Sequence, residues 1–181
     1  MKKILNCIFL LCLSVLTACG VSAVADSDWK LADMSGYTYL TEENEVFLTS
    51  SLSQVKEKKD NGETFAVYFG FDTCPYCNQF MPIFHSFMLS ENLYCDYVDT
   101  NAPTVEGSEE SAFMVDDVGK LGENLLTEDD EGNTHFYVPC VMVFRNGSLI
   151  YFADAEKCYN DPVGVAQNTI SILKGIDIKN E

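Results

Sequence analysis

The segment FDTCPYCNQF contains two cysteines, Cys74 and Cys77, separated only by Pro75 and Tyr76. Cysteines at this spacing can close a small disulfide ring when the second lies in the first turn of a helix. If Cys74 lies at the helix N-terminus, unpaired backbone N–H groups and the helix dipole stabilise its thiolate. Cys77, one turn inside, would stay protonated longer and would resolve a mixed disulfide. The spacing therefore predicts a redox disulfide, Cys74–Cys77, rather than an inert cross-link.

A zinc site is a second possible use for paired cysteines. A structural zinc ion takes four ligands, usually from two spaced pairs, and this chain has one CxxC. The other candidate ligands are scattered along the chain: Cys95, His135, Cys140 and Cys158. We therefore expect no metal at Cys74 or Cys77.

Three cysteines follow the pair. Cys95 and Cys140 lie in apolar runs and are expected to be small buried hydrophobic residues. Cys158 is expected in a loop near the redox pair, where it could join Cys140 or Cys95 or stay free. Three cysteines cannot all pair within one chain, so at least one is expected to remain a thiol.

A papain-like hydrolase is a further alternative, because a histidine can activate a nucleophilic cysteine. The chain contains two histidines, His85 and His135. His85 falls on the helix after the pair and faces the turn of Cys74 poorly, and His135 falls in a polar loop. We expect both to be surface residues, and we expect neither to activate Cys74.

The elements around the pair alternate between strands and helices. The apolar run TFAVYFGF ends just before the pair and predicts a strand buried on both faces. Asn146-Gly147 predicts a hairpin, and Thr41, followed by acids, predicts a helix start. The predicted strands are residues 37–40, 64–71, 93–100 and the two hairpin arms, and the predicted helices are residues 41–59, 78–89 and 163–173. This order favours an α/β fold with a mixed sheet covered on both faces.

The N-terminus has the pattern of a targeting signal. Lys2 and Lys3 precede an apolar run, residues 4–16, that is shorter than the roughly 20 residues needed to span a bilayer. The run ends in LTAC, which resembles the lipobox of bacterial lipoproteins. That resemblance implies that Cys19 is acylated and that the peptide before it, residues 1–18, is removed.

The resemblance also sets the expected domain order. Residues 19–36 would be a tether, and residues 37–181 would form one domain. Several acyl chains on Cys19 would anchor the protein stably at the extracytoplasmic face of the bacterial cell membrane. Disulfides can persist in that compartment.

The chain is strongly acidic, with a formal net charge of −17. Such a chain is repelled by phosphate backbones, so nucleic-acid binding is not expected. The densest acidic stretch is about residues 104–132, in which Lys120 is the single base. We expect a solvated insertion with one amphipathic helical piece, built on Met114, Val118, Leu121 and Leu125. A docking surface for a basic partner is the alternative, whereas the ligand pattern of an EF-hand is absent.

Three separated features make the chain similar to the thioredoxin superfamily. The strand VYFGF leads into CPYC, Pro82 lies one turn further along the following helix, and Val138-Pro139 precedes a strand and the NG hairpin. The similarity covers about residues 37–175. It implies a thioredoxin-like fold, in which a central mixed sheet of four to five strands has helices on both faces. The acidic helical insertion would lie before Pro139.

The resemblance also implies roles for individual residues. Pro139 is expected in the cis form, against the active-site disulfide. Val138, the residue before it, is expected to pair with substrate backbone. Pro75 and Tyr76 would tune the redox potential and the contacts with a substrate. These four residues form the implied substrate-binding set.

The chain departs from the thioredoxin pattern at several places. Tyr68 stands where thioredoxins bury an aspartate beneath the disulfide, and Thr73 replaces the tryptophan that commonly precedes the first cysteine. The stretch between Asp99 and Pro139 is much longer than in a minimal thioredoxin. These departures favour a dedicated redox partner over a general reductase. With its lipobox, the chain is most similar to extracytoplasmic thioredoxin-like lipoproteins, which include bacteriocin-transport accessory proteins.

The sequence thus predicts a membrane-anchored, extracytoplasmic thiol–disulfide oxidoreductase. No organic cofactor is needed, because the chemistry is exchange between sulfurs. The expected partners are cysteine-containing exported proteins or peptides and a dedicated redox partner, for which a membrane-bound protein is one candidate. Oxidase, reductase and isomerase share this motif, so the direction stays open. The alternative is a non-catalytic accessory or binding module on a thioredoxin scaffold, for example in peptide export.

Overall fold

The computed structural model of the chain describes residues 30–102 and 115–177. The predicted signal peptide, the predicted lipidation site Cys19 and the first part of the predicted insertion lie outside these described residues. Within the two described ranges, no helix combines the length and the apolar character needed to cross a membrane.

The centre of the described structure is a five-stranded mixed sheet. The strands are β1 (Phe47–Thr49), β2 (Phe65–Gly70), β3 (Cys95–Asp99), β4 (Thr127–Glu128), β5 (Thr134–His135), β6 (Cys140–Arg145) and β7 (Ser148–Ala153). Five of them form one sheet in the order β1-β3-β2-β6-β7, while β4 and β5 pair as a separate hairpin. β1 and β2 run parallel to β3, and β6 and β7 continue the sheet antiparallel. This topology confirms the predicted α/β, thioredoxin-like fold.

Helices cover both faces of the sheet. They are α1 (Leu52–Asp60), α2 (Pro75–Ser90), α3 (Val115–Val118), α4 (Ala155–Asn160) and α5 (Pro162–Leu173). Side chains of α2, α4 and α5 form one core, and those of α1 and α3 belong to a second core. The central strand β2 supplies both, because successive side chains point to opposite faces. Ala66 and Tyr68 lie in the first core, while Phe65, Val67 and Phe69 lie in the second.

The prediction for the first strand and the first helix is wrong. Residues 37–40, predicted as a strand, form turns, and β1 lies inside the stretch predicted as a helix from Thr41. The helix begins after Ser51, whose hydroxyl accepts a bond from the Gln54 N–H while the Gln54 side chain accepts one from the Ser51 N–H. This reciprocal cap satisfies two free N–H groups. Phe47 is fully buried in the sheet, and that burial outweighs the helix-start signal at Thr41.

Residues 30–36, which the sequence places in the tether, belong to the folded structure. Leu31 bridges Leu48 of β1 in an antiparallel contact, and the Ala32 N–H donates to the Phe47 carbonyl oxygen at 2.9 Å. Ala32 is buried in the first core. The short segment therefore covers the outer edge of β1, where backbone groups would otherwise remain unpaired.

The part of the insertion that the structure describes is only briefly helical. α3 continues into a single 3-10 turn, Gly119–Leu121, and the hairpin of β4 and β5 follows. Val118, Leu121 and Leu125 are buried in the second core, as their helical spacing predicts. Met114 lies outside the described residues. The insertion thus contributes to the second core and ends in the turn between β4 and β5.

Candidate active site

The CPYC cysteines lie where β2 delivers the chain to the start of α2. Cys74 is the N-cap residue of this helix, with φ −75° and ψ 120°, and Pro75 follows in the first turn. Proline suits that turn because its missing N–H would have no helical partner. The Cys77 N–H donates to Cys74 Sγ at 3.2 Å, as an N–H of the first turn donates to a capping side chain. The predicted position of Cys74 at a helix N-terminus is confirmed.

The two thiols differ in acidity. The pKa of Cys74 falls to about 6, chiefly because the Cys77 thiol donates a hydrogen bond to its sulfur; backbone N–H groups of Cys77 and Tyr76 add to this, and burial opposes it. The pKa of Cys77 is raised, first because its proton is held in that bond to Cys74 and second by burial. At neutral pH, Cys74 is therefore a thiolate while Cys77 keeps its proton.

The Val138–Pro139 peptide bond lies against Cys74. It is cis, as the resemblance implied, and the Val138 carbonyl oxygen lies 3.8 Å from Cys74 Sγ. The pairing of β6 with β2 explains this position, because Phe69 and Cys140 are partners at the ends of the two strands. The structure thus brings Cys74 together with Val138 and Pro139, which were predicted from a separate part of the sequence.

Pro75 and Tyr76 are exposed beside a nearly buried sulfur. Cys74 is only 5% exposed, whereas Tyr76 is 53% exposed. The Tyr76 ring meets Tyr159 of α4 edge-on, with 5.3 Å between the ring centroids. Tyr159 was not identified from the sequence, because the segment that carries it was predicted as a loop. A reacting partner would meet these exposed aromatic groups before it reached the sulfur.

Asn78 holds the turn that carries Cys74. Its amide nitrogen donates to the carbonyl oxygens of Cys74, at 3.1 Å, and of Asp72, and its amide oxygen accepts the Thr38 N–H at 2.6 Å. Asn78 is buried, so losing it would leave several backbone groups without partners. The sequence prediction missed this residue. An amide on the otherwise apolar face of α2, next to the cysteines, is the signal that could have identified it.

Tyr68 fills the position beneath the pair at which the resemblance implied a missing carboxylate. Its ring is fully buried and stacks on Phe80 and on Tyr97, each at 5.8 Å between ring centroids. Among the described residues, none forms a well-aligned hydrogen bond with its hydroxyl. Burial raises the pKa of Tyr68 well above its usual value, and the neighbouring Tyr37 hydroxyl and Cys77 thiol raise it further. The group beneath Cys77 is therefore a neutral phenol.

The prediction that both histidines are surface residues is wrong for His85. Its ring is fully buried, stacks on Phe47 at 6.1 Å, and has Glu42 Oε2 at 3.6 Å from Nδ1. Burial lowers the pKa of His85. His85 follows Phe84 on the sheet-facing side of α2. A polar side chain is not expected at such a buried position, so the sequence alone did not predict it. His135 is half-buried in β5, and neither histidine is among the groups that shift the pKa of Cys74.

The remaining cysteines of the described structure are buried free thiols. Cys95 and Cys140 lie in strands, as predicted. Cys158 lies in α4 rather than in the predicted loop, because Asp154 caps this helix by accepting the Lys157 N–H. Burial raises the pKa of all three thiols, which makes them poor nucleophiles. Among the described residues, no three His, Cys, Asp or Glu side chains are grouped so that they could hold a metal ion.

The fold and this site together define a thioredoxin-like domain with a CPYC dithiol at a helix N-terminus. No family model matches the chain. The solved structures that resemble it at low identity include the following three. A candidate oxidoreductase with a thioredoxin fold is 15% identical, covers 70% of this chain and 94% of its own, and has a TM-score of 0.46. Thioredoxin O2 from Arabidopsis thaliana, in its oxidized state, has the same identity and coverage and a TM-score of 0.44.

The third structure concerns thiol resolution in the yeast mitochondrial 1-Cys peroxiredoxin by the glutathione and thioredoxin systems. It is 14% identical to this chain, covers 68% of it and 92% of its own length, and has a TM-score of 0.41. The assignment of this chain to the thioredoxin-like fold rests on its own strand order, the helices on both faces of its sheet and the position of its cysteines.

Replacing Cys77 should separate the sources of thiolate stabilisation at Cys74. In the unmodified chain, we expect alkylation of Cys74 by iodoacetamide to rise with pH around a midpoint near 6, its pKa. Cys77→Ala removes the thiol donor and should move the midpoint to higher pH. Cys77→Ser keeps a donor and should hold the midpoint closer to the original value. Mass spectrometry of the labelled peptide measures each curve, and an unchanged midpoint in Cys77→Ala would contradict the assigned cause.

Replacing Tyr68 by Phe should slow the step in which Cys77 loses its proton. The Tyr68 hydroxyl acts to lower the pKa of Cys77, so its removal should raise that pKa further. For each tenfold loss of thiolate the rate falls only about threefold, because nucleophilicity rises with pKa. We therefore expect glutathione to leave the mixed disulfide at Cys74 several-fold more slowly. Samples quenched rapidly with acid at successive times measure this rate.

Two further measurements on the Tyr68→Phe variant distinguish an effect on Cys77 from a purely structural role. Because the buried Tyr68 hydroxyl forms no well-aligned hydrogen bond with a described residue while Cys77 is a thiol, deleting it should leave the free energy of unfolding unchanged or increased. The midpoint of Cys74 alkylation should also stay near 6. If the variant is destabilised and releases glutathione at the original rate, Tyr68 serves packing alone.

Proposed function

We propose that the chain is a membrane-anchored, extracytoplasmic thiol–disulfide oxidoreductase that acts on cysteines of exported proteins. One observation carries the proposal: the capping sulfur of α2 accepts hydrogen bonds from both the N–H and the thiol of Cys77, so Cys74 has a pKa of about 6 while the pKa of Cys77 is raised. An inert structural thiol needs no such difference. Perturbed acidity at a partly accessible helix end is typical of a reactive cysteine.

The proposed reaction exchanges sulfur–sulfur bonds. In the reduced protein, the Cys74 thiolate attacks one sulfur of a partner disulfide, forms a mixed disulfide and releases the other partner sulfur as a thiolate. Cys77 then loses its proton and attacks the Cys74 sulfur, which closes the Cys74–Cys77 disulfide and releases the second partner sulfur. Two electrons pass from the protein to the partner. The reverse sequence oxidises a partner dithiol.

The substrate would approach between the exposed helix end and the cis peptide. Val138 and Pro139 would border the extended partner chain, because the Val138 carbonyl oxygen lies 3.8 Å from the attacking sulfur. Pro75 and the exposed Tyr76 would contact the partner from the other side. No organic cofactor takes part in this proposal. The redox partner that recycles the protein would be a dedicated one.

The reduction potential of the Cys74–Cys77 couple tests the proposal directly. A Cys74 pKa near 6 lies between the values of about 7 and 3.5 found in thioredoxin and in strong disulfide oxidants. Their potentials are about −270 and −120 mV, so we expect a value between these two. Equilibration of the full-length protein with glutathione buffers, followed by thiol trapping and mass spectrometry, gives the number. A value near −270 mV would indicate a reductant, and one near −120 mV an oxidant.

A double variant provides the control for this measurement. With Cys74 and Cys77 both changed to Ser, the buried thiols of Cys95, Cys140 and Cys158 should stay reduced and no reversible couple should appear. If the unmodified chain also lacks a reversible couple, the enzymatic proposal fails. A non-catalytic accessory module would then be the better explanation, and the double variant should retain the function of the chain in cells.

Lipid attachment at Cys19 is a separate part of the proposal, supported by the LTAC motif after the apolar run. In bacteria fed an alkyne fatty acid, we expect the full chain to acquire the label and to fractionate with membranes. Cys19→Ala should abolish the label, because the acylated thiol is gone. Cys12→Ala, a change within the apolar run, is the matched control and should keep it. Equal labelling of the chain and its Cys19→Ala variant would exclude this anchor.

A further inference from the structure

A pocket of about 310 Å³ lies next to the residue that precedes the cis-peptide segment. Tyr137 lines it and is bonded directly to Val138, whose carbonyl oxygen is 3.8 Å from Cys74 Sγ. The pocket lining is therefore joined through one peptide bond to the residue whose carbonyl oxygen faces the reactive sulfur. Its lining has an apolar part, Leu125, Phe152 and Ala155, and a polar part, Asn124, Thr127, Tyr137, Asp154 and Glu156.

The β4–β5 hairpin holds one wall of the pocket in place. The Asp129 carboxylate accepts the N–H groups of Glu131 and Asn133, both at 2.9 Å, and lies 2.8 Å from His135 Nε2. The pKa of Asp129 is lowered, chiefly by the bond to His135. The His135 ring in turn stacks on Tyr137, at 5.9 Å between ring centroids. The hydrogen-bonded turn at Asp129 therefore positions His135, and His135 positions Tyr137 by stacking on its ring, although 57% of the surface of Tyr137 is exposed.

Two carboxylates border the pocket without a basic partner. One carboxylate oxygen of Asp154 caps α4 by accepting a hydrogen bond from the Lys157 N–H at 2.8 Å. The Lys157 ammonium group forms its ion pair with Asp161, at 3.1 Å, and Lys157 is not among the residues that line the pocket. In the described part of the chain, neither Asp154 nor Glu156 forms an ion pair. The pocket lining thus combines negative charge with apolar surface.

These features fit one class of side chain. Lysine and arginine have an apolar stem that packs on hydrophobic surface and a cationic head that stays at a polar rim. Leu125, Phe152 and Ala155 would contact the stem. Asp154 and Glu156 would attract the head, and the exposed face of Tyr137 would add a cation–π contact. An acidic side chain would be repelled, and a neutral apolar one would gain only the stem contacts.

We propose that this pocket is a specificity subsite that binds a lysine or arginine side chain close to the reacting cysteine of the partner polypeptide. The proposal rests on the proposed thiol–disulfide exchange at Cys74 and adds a substrate class to it. Because the pocket adjoins Val138, the basic residue would lie within a few positions of the cysteine in an extended chain. The chain would thus react fastest with cysteines in basic sequence surroundings.

The test uses short peptides whose cysteine is joined through a disulfide to 5-thio-2-nitrobenzoate. Attack of the Cys74 thiolate on the peptide sulfur releases the coloured thiolate, which is the better leaving group. Cys77 then closes the protein disulfide and releases the peptide thiol. One peptide set places lysine at each position on either side of the cysteine. Matched sets carry norleucine, which keeps the stem without the charge, or glutamate.

With the reduced full-length protein at low salt, we expect the best lysine peptide to react about tenfold faster than its norleucine counterpart. Two partly exposed carboxylates near one ammonium group make that ratio reasonable. Raising the salt concentration should lower the ratio through screening. The glutamate peptide should react more slowly than the norleucine peptide at the same position.

Variants assign the preference to the pocket. Asp154→Asn keeps a capping side chain for α4, and Glu156→Gln keeps the size of the residue. In the double variant, the lysine-to-norleucine ratio should fall close to one, while the norleucine rate stays within about twofold. Glu57→Gln together with Glu63→Gln, two exposed changes outside the pocket lining, removes the same number of charges; this control pair should keep the ratio.

Three outcomes would count against parts of this scheme, and they are distinguishable. If no lysine position gives a preference, or if the double variant keeps it, the subsite proposal is wrong while the exchange chemistry stands. If the control pair, Glu57→Gln with Glu63→Gln, reduces the ratio as much as the changes at Asp154 and Glu156, the overall acidic charge attracts the peptide and the subsite proposal is again wrong. If no peptide of any set releases the coloured thiolate, the proposed function itself fails.

Discussion

The hydrogen bonds that Cys74 Sγ accepts at the start of α2 are the interactions on which the site depends. They exist because β2 ends four residues earlier, Pro75 fixes the first turn, and Asn78 ties that turn back to the carbonyl oxygen of Cys74. A helix N-terminus always offers free N–H groups, and here the acceptor of their hydrogen bonds is a sulfur rather than an oxygen. The stabilised thiolate is therefore a consequence of local backbone geometry. The surrounding fold is needed to hold that geometry and to bring the cis peptide against it.

Burial and hydrogen bonding oppose each other at Cys74, whereas the leading hydrogen bond and burial act together at Cys77. For Cys74 the hydrogen bonds win, and its pKa falls from an ordinary 9.0 to about 6. A lowered pKa stabilises the folded dithiol form fully above the ordinary pKa, and this contribution is lost as pH falls toward about 6. For Cys77, burial adds to the cost of ionisation, and Tyr68 offers only a neutral hydroxyl. Gly70 makes that arrangement possible, because a Cβ there would lie 2.4 Å from the Tyr68 hydroxyl oxygen.

Local and strongly patterned features were predictable from the sequence. The apolar run of β2, the helix after CPYC, the hairpin at Asn146-Gly147 and the cis Pro139 all follow from neighbouring residues or from the resemblance. Features that depend on distant packing were not. β1 has three residues, too few for a period, and its burial against β3 decides its conformation. His85 is buried because α2 is apolar on its sheet-facing side, a property of the assembled layers rather than of one position.

The insertion shows how a charge pattern can have two meanings that sequence cannot separate. A solvated acidic segment and an acidic binding surface have the same composition, and they differ in whether the carboxylates already have partners. Asp129 has partners, since it closes the turn of the hairpin and is bonded to His135. Asp154 and Glu156, which lie outside the insertion, line the pocket beside its hairpin without ion-pair partners among the described residues. The acidic hairpin therefore contributes by positioning Tyr137. This residue lines the pocket together with Asp154, the cap of α4, and Glu156, and it directly precedes the cis Val138–Pro139 peptide bond.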